Sequence, residues 1–515
     1  MAFLTFGAIH IGSYEVTLEI FEISRKDGIH CIDKVSHRIE LGHDSFSTGR
    51  IGFEMVDELC DILSDFRKIM DTYKVDGYSA IATSAVREAE NDLFILGKIR
   101  QTTGIDVRIL SNSEQRFLSY KAIASIADTF EEMICDGTAV VDLDGGSIQI
   151  SIFDKSELIM TQNMKIGNLR VREKLQNATG RTDNYEALVE QYIHHDFELF
   201  QKLYIKERRI RNVVLNGDFI TEMIFQDPKH RDRSTRILNR DKFEKWYKRI
   251  GGKSVADLAI ENNIAVEYAS LLRPTAVIYH KIVSDLNPEN IWTPGTHLQR
   301  GLAYEFAEAH DVLRARHDFE NDIVTCARNI ATRYAVSLPH IQNMDMTAMS
   351  LFDATLPMTG MTSRDRLLLR VAVMLHDVGK FIGFNQIGES SRNIIMSNEI
   401  IGLSHAEREI IALCARYVQE DFPQHEDIVM ETSLDTERYL KVASFVAIIR
   451  MANGLDRSHR QKIQSVSCEL KKQKLVIRIE VRESYALEEG LLQPELDFFN
   501  EVFGVRPVVR LKRIV

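Results

Sequence analysis

Hydrophobic and polar positions change rhythm several times along the chain. Thr5–Ile11 and Glu15–Ile23 are dense in Val, Ile and Phe and are separated by Gly12-Ser13, which predicts two strands joined by a tight turn. In Val56–Tyr73 the apolar residues Leu59, Ile62, Leu63, Phe66, Ile69 and Met70 recur at helical spacing, and Tyr78–Thr83 reads as a short buried strand. A second cycle begins at Thr138, with a strand, the turn Asp142-Leu143-Asp144-Gly145-Gly146-Ser147, and another strand over Ile148–Phe153. A glycine-serine turn between two strands therefore occurs twice, about 130 residues apart, as expected of one duplicated unit. From about residue 310 amphipathic helices dominate, including Leu367–His376, Glu407–Tyr417 and Leu440–Met451. Two strands are expected within 463–482 around Lys471-Lys472-Gln473-Lys474, and one more over Val508–Ile514.

Length and composition narrow the classes. At about 100–200 residues per domain, 515 residues make three or four domains. With 44% hydrophobic and 27% charged residues the chain is ordinary globular material rather than disordered. No apolar run approaches the roughly 18 residues of a membrane helix, and no signal-peptide pattern opens the sequence. The six cysteines lie far apart without a CxxC pair, which predicts neither a zinc cage nor a disulfide framework and fits a reducing cytoplasm. A net charge of −11 argues against DNA or an anionic membrane as partner, so a polyanion would have to be drawn by a local basic cleft. The basic stretch 206–250 (Lys206, Arg208, Arg209, Arg211, then Lys229 to Arg249) is either a solvated helix face or a phosphate-attracting rim.

Three segments carry candidate chemistry. Turns rich in Gly and Ser let backbone N–H groups converge on an anion, because no Cβ blocks the approach and the hydroxyl adds a donor. Two such turns facing across a cleft, Gly12-Ser13 and Gly145-Gly146-Ser147, would hold a phosphate chain, although a hairpin turn alone explains either one. Ala82-Thr83-Ser84-Ala85-Val86-Arg87-Glu88-Ala89 ends a strand and opens a helix. There Thr83 and Ser84 are expected to cap, and Arg87 is either a bidentate phosphate clamp or a solvated charge.

Ala82–Ala89 with Asn91, the turn Asp142–Ser147, and Leu110–Tyr120 resemble motifs of the exopolyphosphatase/guanosine pentaphosphate phosphatase (Ppx/GppA) family; Lys165–Val171 and Pro294–Tyr304 echo it more faintly. The resemblance implies an α/β + α chain. Two actin-like (ribonuclease-H-like) domains at 1–125 and 126–305 would be followed by an all-α HD-type domain at 306–460 and a small α+β domain at 461–515. It also implies removal of terminal phosphate from polyphosphate or pppGpp with Mg²⁺. The departures are specific. The first-turn carboxylate of the family is His10 here, and Tyr14 stands where a small polar residue is usual. The second turn has Asp144 for glycine, Ile148 for threonine and Gln149 for glutamate, and the family's general-base glutamate falls on Gln115. Glutamine orients water but cannot take its proton, and loss of a general base costs about 10²–10⁴ in rate. Glu114 is the obvious substitute, yet neighbouring side chains on a helix point about 100° apart.

Leu375-His376-Asp377-Val378-Gly379-Lys380 resembles the HD signature. With His340 upstream and a later Asp, matched either by Asn453 or by Asp456, His376 and Asp377 would form a metal site. Family histidines fall on Ile387, Gly388 and Ser390, and the usual Tyr-His-Arg is Tyr417-Val418-Gln419, which predicts an HD fold without robust metal catalysis.

The sequence thus leads to a cytoplasmic, homodimeric phosphohydrolase. Asp142 would hold Mg²⁺, while Gly12, Ser13, Ser84, Arg87, Gly145, Gly146 and Ser147 bind phosphate and Glu114 or Gln115 orients water. The alternative is a catalytically degenerate regulator that binds polyphosphate or a guanosine tetraphosphate-type alarmone; a third reading is a dimeric scaffold that uses neither site.

Overall fold

The Gly12-Ser13 turn does join two strands in the computed structural model, which describes residues 3–126, 130–179, 184–217, 237–313, 317–432 and 434–514. Strands β1 (Leu4–Ile11) and β2 (Glu15–Ser24) pair antiparallel, and an edge strand β3 (Gly28–Arg38) follows; β4 (Gly77–Ala82) and β5 (Val107–Ile109) lie parallel to β1 on its other side. The order is β3-β2-β1-β4-β5. Parallel pairing beside an antiparallel neighbour buries β1 on both faces, which is why its sequence is nearly all apolar.

The second cycle repeats this plan. Strands β6 (Thr138–Leu143), β7 (Ile148–Asp154) and β8 (Glu157–Met164) form an antiparallel meander, and β9 (Asn212–Asn216) then continues parallel beside β6. Two-residue β10 (Ile237–Leu238) pairs antiparallel with β11 (Asn290–Trp292), itself parallel to β9. Leaving β10 aside, the order β11-β9-β6-β7-β8 is that of the first sheet. Helices α1 (Phe53–Tyr73), α2 (Asn112–Ile126), α3 (Asn168–Thr179) and α4 (Val266–Leu286) belong to this part. Each sheet has its own apolar core, and a small cluster of Tyr14, Phe46, Leu169 and Leu271 joins the two. All of this lies in one compact unit, Met1–Asp318.

The second unit, Phe319–Val515, is helical as its amphipathic pattern predicts. Helices α5 (Leu338–Thr359), α6 (Ser363–Leu375), α7 (His405–Tyr417), α8 (Thr436–Leu455) and α9 (Gln493–Phe503) surround a core in which Leu367–Leu369 and Val371–Leu375 are fully buried. Capping boxes start α6 (Thr362 with Asp365) and α7 (Ser404 with Glu407). A three-stranded sheet, β12 (Ile463–Lys471), β13 (Lys474–Val481) and β14 (Arg506–Arg513), places the polar Lys471–Lys474 turn between its first two strands. Among the described residues no helix is long and apolar enough to cross a membrane, and the six cysteines form no disulfide.

Candidate functional site

The strand order decides where the two glycine-serine turns go, because each closes the first hairpin of its sheet. Gly12 N–H bonds Glu15 O at 2.9 Å and Asp144 N–H bonds Ser147 O at 3.0 Å, so both turns are tight. They meet. His10, Gly12, Ser13, Ser84, Asp144 and Gly145 all line one crevice, a cavity of about 30 Å³ with room for a water or two. The glycines are demanded by this approach. A Cβ on Gly145 would lie 3.1 Å from Ser13 Cβ, one on Gly146 2.6 Å from Ser84 Oγ, and one on Gly167 2.2 Å from the carbonyl oxygen of Gly145. The hydroxyls of Ser13 and Ser84 are 2.9 Å apart.

Thr83 and Ser84 were expected to cap the short helix Ser84–Arg87, but no side-chain cap forms. Thr83 Oγ1 turns instead to His10 Nε2 at 3.1 Å, so the imidazole that replaces the family carboxylate is held by the strand beside it. Arg87 donates to Leu110 O at 2.6 Å and to Gln115 Oε1 at 3.3 Å. Gln115 is buried, and its amide nitrogen donates to Asp144. Arg87, Gln115 and Asp144 thus form one polar chain reaching the crevice. Glu114 points elsewhere: its carboxylate accepts from Arg108 at 2.9 Å and from Ser111 N–H at 2.9 Å, the consequence of the 100° step along α2.

Behind the turn, Asp142 Oδ1 accepts from Asn216 Nδ2 at 3.3 Å, and Gln149, its partner across β6 and β7, accepts from Arg116 Nε at 3.1 Å. Arg116 is 1% exposed, and among the described residues its two terminal nitrogens have no hydrogen-bond partner. Among those residues the Ser147 hydroxyl is also buried without one. A second arginine fastens the seam: Arg170 donates from Nε to Gly146 O at 2.7 Å and from Nη2 to both Glu88 oxygens at 2.8 Å, with its guanidinium 4.1 Å from the centre of the Phe46 ring. Burial pushes the Tyr14 hydroxyl, on the rim, up to about 12. Of the basic stretch, Arg209 and Arg211 pair with Glu289 and Asp136, while 218–236 lies outside the described residues.

Asp142 and Asp144 offer two hard carboxylates on one hairpin, and among the described residues no third carboxylate, His or Cys donor gathers with them within 4.8 Å. Such a set suits a hard dication such as Mg²⁺, which keeps several waters and binds through one or two carboxylates plus substrate phosphates.

The second unit assembles the other motif. His340 Nδ1 bonds Asp456 Oδ2 at 2.7 Å, and His376 Nδ1 bonds Val373 O at 2.7 Å. Both acceptors are oxygens, so both Nδ1 atoms carry the proton; among the described residues neither buried Nε2 makes a hydrogen bond, and that of His376 lies 3.5 Å from Asp377 Oδ2. Asp377 accepts from Gln419 Nε2 at 3.1 Å and from Lys380. Burial opposes its ionisation, yet beside His376 and Lys380 its carboxyl falls below the ordinary value. Of the two candidate positions, Asp456 rather than Asn453 meets His340. Sequence reasoning missed His459, whose ring stacks on His340 at 3.6 Å between centroids. Burial, His340 and Lys380 push the His459 imidazole down to about 4. Elsewhere in this unit a cavity of about 980 Å³ is bordered by Arg364 and Lys441, but these cations are engaged by Glu407 and Asp365.

Two sheets of one strand order, with their first turns paired at a seam, define the class: a duplicated, actin-like α/β fold followed by a helical region. The chain belongs to the Ppx/GppA phosphatase family, whose model matches residues 20–310, while that of Ppx/GppA phosphatase, domain III, matches 324–498. It is 21% identical over 459 residues to a guanosine-5'-triphosphate,3'-diphosphate pyrophosphatase of Photobacterium profundum, covering 87% of this chain and 85% of the relative. It is 25% identical over 165 residues to exopolyphosphatase 1 of Mycobacterium bovis, covering 32% of this chain and 47% of the relative. The solved exopolyphosphatase of Cytophaga hutchinsonii shares the fold, with a TM-score of 0.52 and 19% identity over 59% of this chain and 98% of that one.

Proposed function

We propose that the crevice between the paired turns hydrolyses terminal phosphoanhydride bonds, with inorganic polyphosphate or pppGpp as substrate, the classes for which the relatives are named. The observation that carries this reading is the meeting of Gly12-Ser13 with Asp144-Gly145 at one crevice. Mg²⁺, held by Asp142, would neutralise charge on the phosphoryl oxygens. Arg87 clamps the phosphate chain, Ser13, Ser84 and the glycine amides hold its oxygens, and Gln115 orients the attacking water. Gln115 cannot accept the proton. Asp144, in contact with the Gln115 amide and facing the same crevice, takes the role of general base. The carboxylate has in effect moved from helix to turn. Residues 1–125 and 126–305 form the two lobes of this site, with an HD-type domain at 306–460 and the small α+β domain at 461–515. Purified protein with Mg²⁺ and either substrate releases inorganic phosphate; absence of turnover across metals and chain lengths rejects hydrolysis.

A second reading is favoured by His10 and by the Gln149–Arg116 pair, where carboxylates would otherwise stand. The crevice then binds polyphosphate or an alarmone without cleaving it, and calorimetry showing binding without phosphate release distinguishes it.

A further inference from the structure

We infer that Arg116, a residue to which neither the family resemblance nor the proposed chemistry gives a part, binds a phosphoryl dianion directly, together with Gln149 and Ser147, in a subsite just behind the second turn. The first turn of α2 straddles the hairpin that carries Asp142. Gln115 donates to Asp144 at one end of the hairpin's turn, and the next residue, Arg116, donates from Nε to Gln149 at 3.1 Å beyond its other end. Ser147 stands between them, its carbonyl closing the turn on Asp144 N–H at 3.0 Å. Ser147 and Gln149 lie two residues apart where β7 begins, which puts both on one face, and Asp142 stands opposite Gln149 across the ladder. Arg116, Ser147 and Gln149 are each no more than 2% exposed.

What these side chains lack is an acceptor. Among the described residues Arg116 Nη1 and Nη2, Gln149 Nε2 and the Ser147 hydroxyl have no hydrogen-bond partner. All of them can donate, and the guanidinium and amide nitrogens can do nothing else. Buried donors left unpaired are uncommon, and a buried arginine is ordinarily paired. Here its one hydrogen bond goes to a neutral amide oxygen. Amides at 115 and 149, where the resemblance expects acids, leave the guanidinium free for a diffusible anion. A tetrahedral phosphoryl group supplies what is missing, because the guanidinium fork takes two of its oxygens while the Gln149 amide and the Ser147 hydroxyl take the others. The inference rests on the crevice reading for the source of that group, either the terminal phosphoryl of a bound chain or the orthophosphate released from it. Asp144 and Gly145 of the same turn line the crevice, so displacement of the turn admits the anion.

The test titrates full-length protein with sodium phosphate in EDTA, followed by calorimetry and by Tm, against sodium chloride of equal ionic strength. Phosphate should bind and raise Tm by about 2 °C at about tenfold its dissociation constant, whereas chloride leaves Tm unchanged. Arg116→Lys, which keeps the charge and loses the fork, weakens binding by about tenfold or more, and Arg116→Gln abolishes it. Gln149→Glu offers the guanidinium an internal carboxylate, so it raises Tm without phosphate and removes the response to phosphate, two movements that simple damage does not combine. Tripolyphosphate separates the sources: tighter Arg116-dependent binding than that of phosphate identifies the terminal phosphoryl, and equal or weaker binding identifies the released ion. Internal water would satisfy the same donors with no response to phosphate, and that result overturns the inference, as does wild-type affinity in both Arg116→Gln and Gln149→Glu. Phosphate release assayed with Mg²⁺ reports on the crevice separately. Turnover without an Arg116-dependent response refutes this subsite and leaves hydrolysis standing, and the response without turnover does the reverse.

Discussion

Replacing Asp144 by asparagine tests the transferred base directly. Asparagine keeps the shape, and its side-chain oxygen still accepts from Gln115, so the contact across the crevice survives. Only the proton acceptor is removed. Loss of a general base lowers kcat by about 10²–10⁴, or about 3–5 kcal/mol at 1.36 kcal/mol per decade. Substrate binding moves the other way. A carboxylate about 4 Å from a phosphate charge repels it by about 1 kcal/mol in bulk water and about 4 kcal/mol at the effective dielectric of a protein surface. Asp144→Asn should therefore lower KM severalfold while kcat collapses, whereas simple damage to the site worsens both. The assay is phosphate release against pH with Mg²⁺ at saturating and limiting polyphosphate. The acid limb of the kcat profile disappears in the variant. A kcat within twofold of the parent, with the acid limb intact, refutes Asp144 as the base.

Four further substitutions probe the packing and the buried charges. Gly146→Ala places its Cβ 2.6 Å from Ser84 Oγ and should cost about 1–3 kcal/mol in urea unfolding; Gly167→Ala should cost more, because its Cβ meets the Gly145 backbone oxygen at 2.2 Å and no rotamer relieves that. Gln149→Glu gives the buried Arg116 a charged acceptor and should raise stability by about 1–3 kcal/mol, read as an increase in Tm; an unchanged or lower Tm counts against an under-compensated guanidinium. Asp365 is buried, which opposes ionisation, but Lys441 at 2.7 Å and the Thr362 capping box hold its carboxyl below the ordinary 3.8. Its contribution is present above that value and is lost as pH falls through the depressed one. Asp365→Asn should therefore cost about 1–2 kcal/mol at pH 7, with the difference in Tm narrowing below about pH 4.

The duplicated turns were legible because glycine and serine between two apolar runs leave few alternatives, and because the pattern occurs twice. Strand β3 was not: apart from Ile29 it is an edge strand that alternates weakly among exposed and half-buried residues, so no apolar rhythm marks it. Local rules also misplaced Thr83. Cap chemistry predicts a hydroxyl turned to the helix, but His10 on the neighbouring strand offers it a partner that only the sheet reveals. The inward position of Gln115 and the outward one of Glu114 depend on the rotation of α2, which a helical pattern with little amphipathic contrast does not fix. His459 lies on a short loop after α8 that is shaped by two left-handed residues, His459 and Gln461, and by one carboxylate, Asp456.

The Arg170 guanidinium grips a carbonyl of one turn and the Glu88 carboxylate that follows the Arg87 motif of the other lobe. A polyanion approaching this seam would compete with Glu88 for the same cation. Moderate salt loosens that ionic latch as it screens long-range attraction, and the two effects oppose each other. Capture should accordingly be fastest at an intermediate ionic strength rather than in the most dilute buffer.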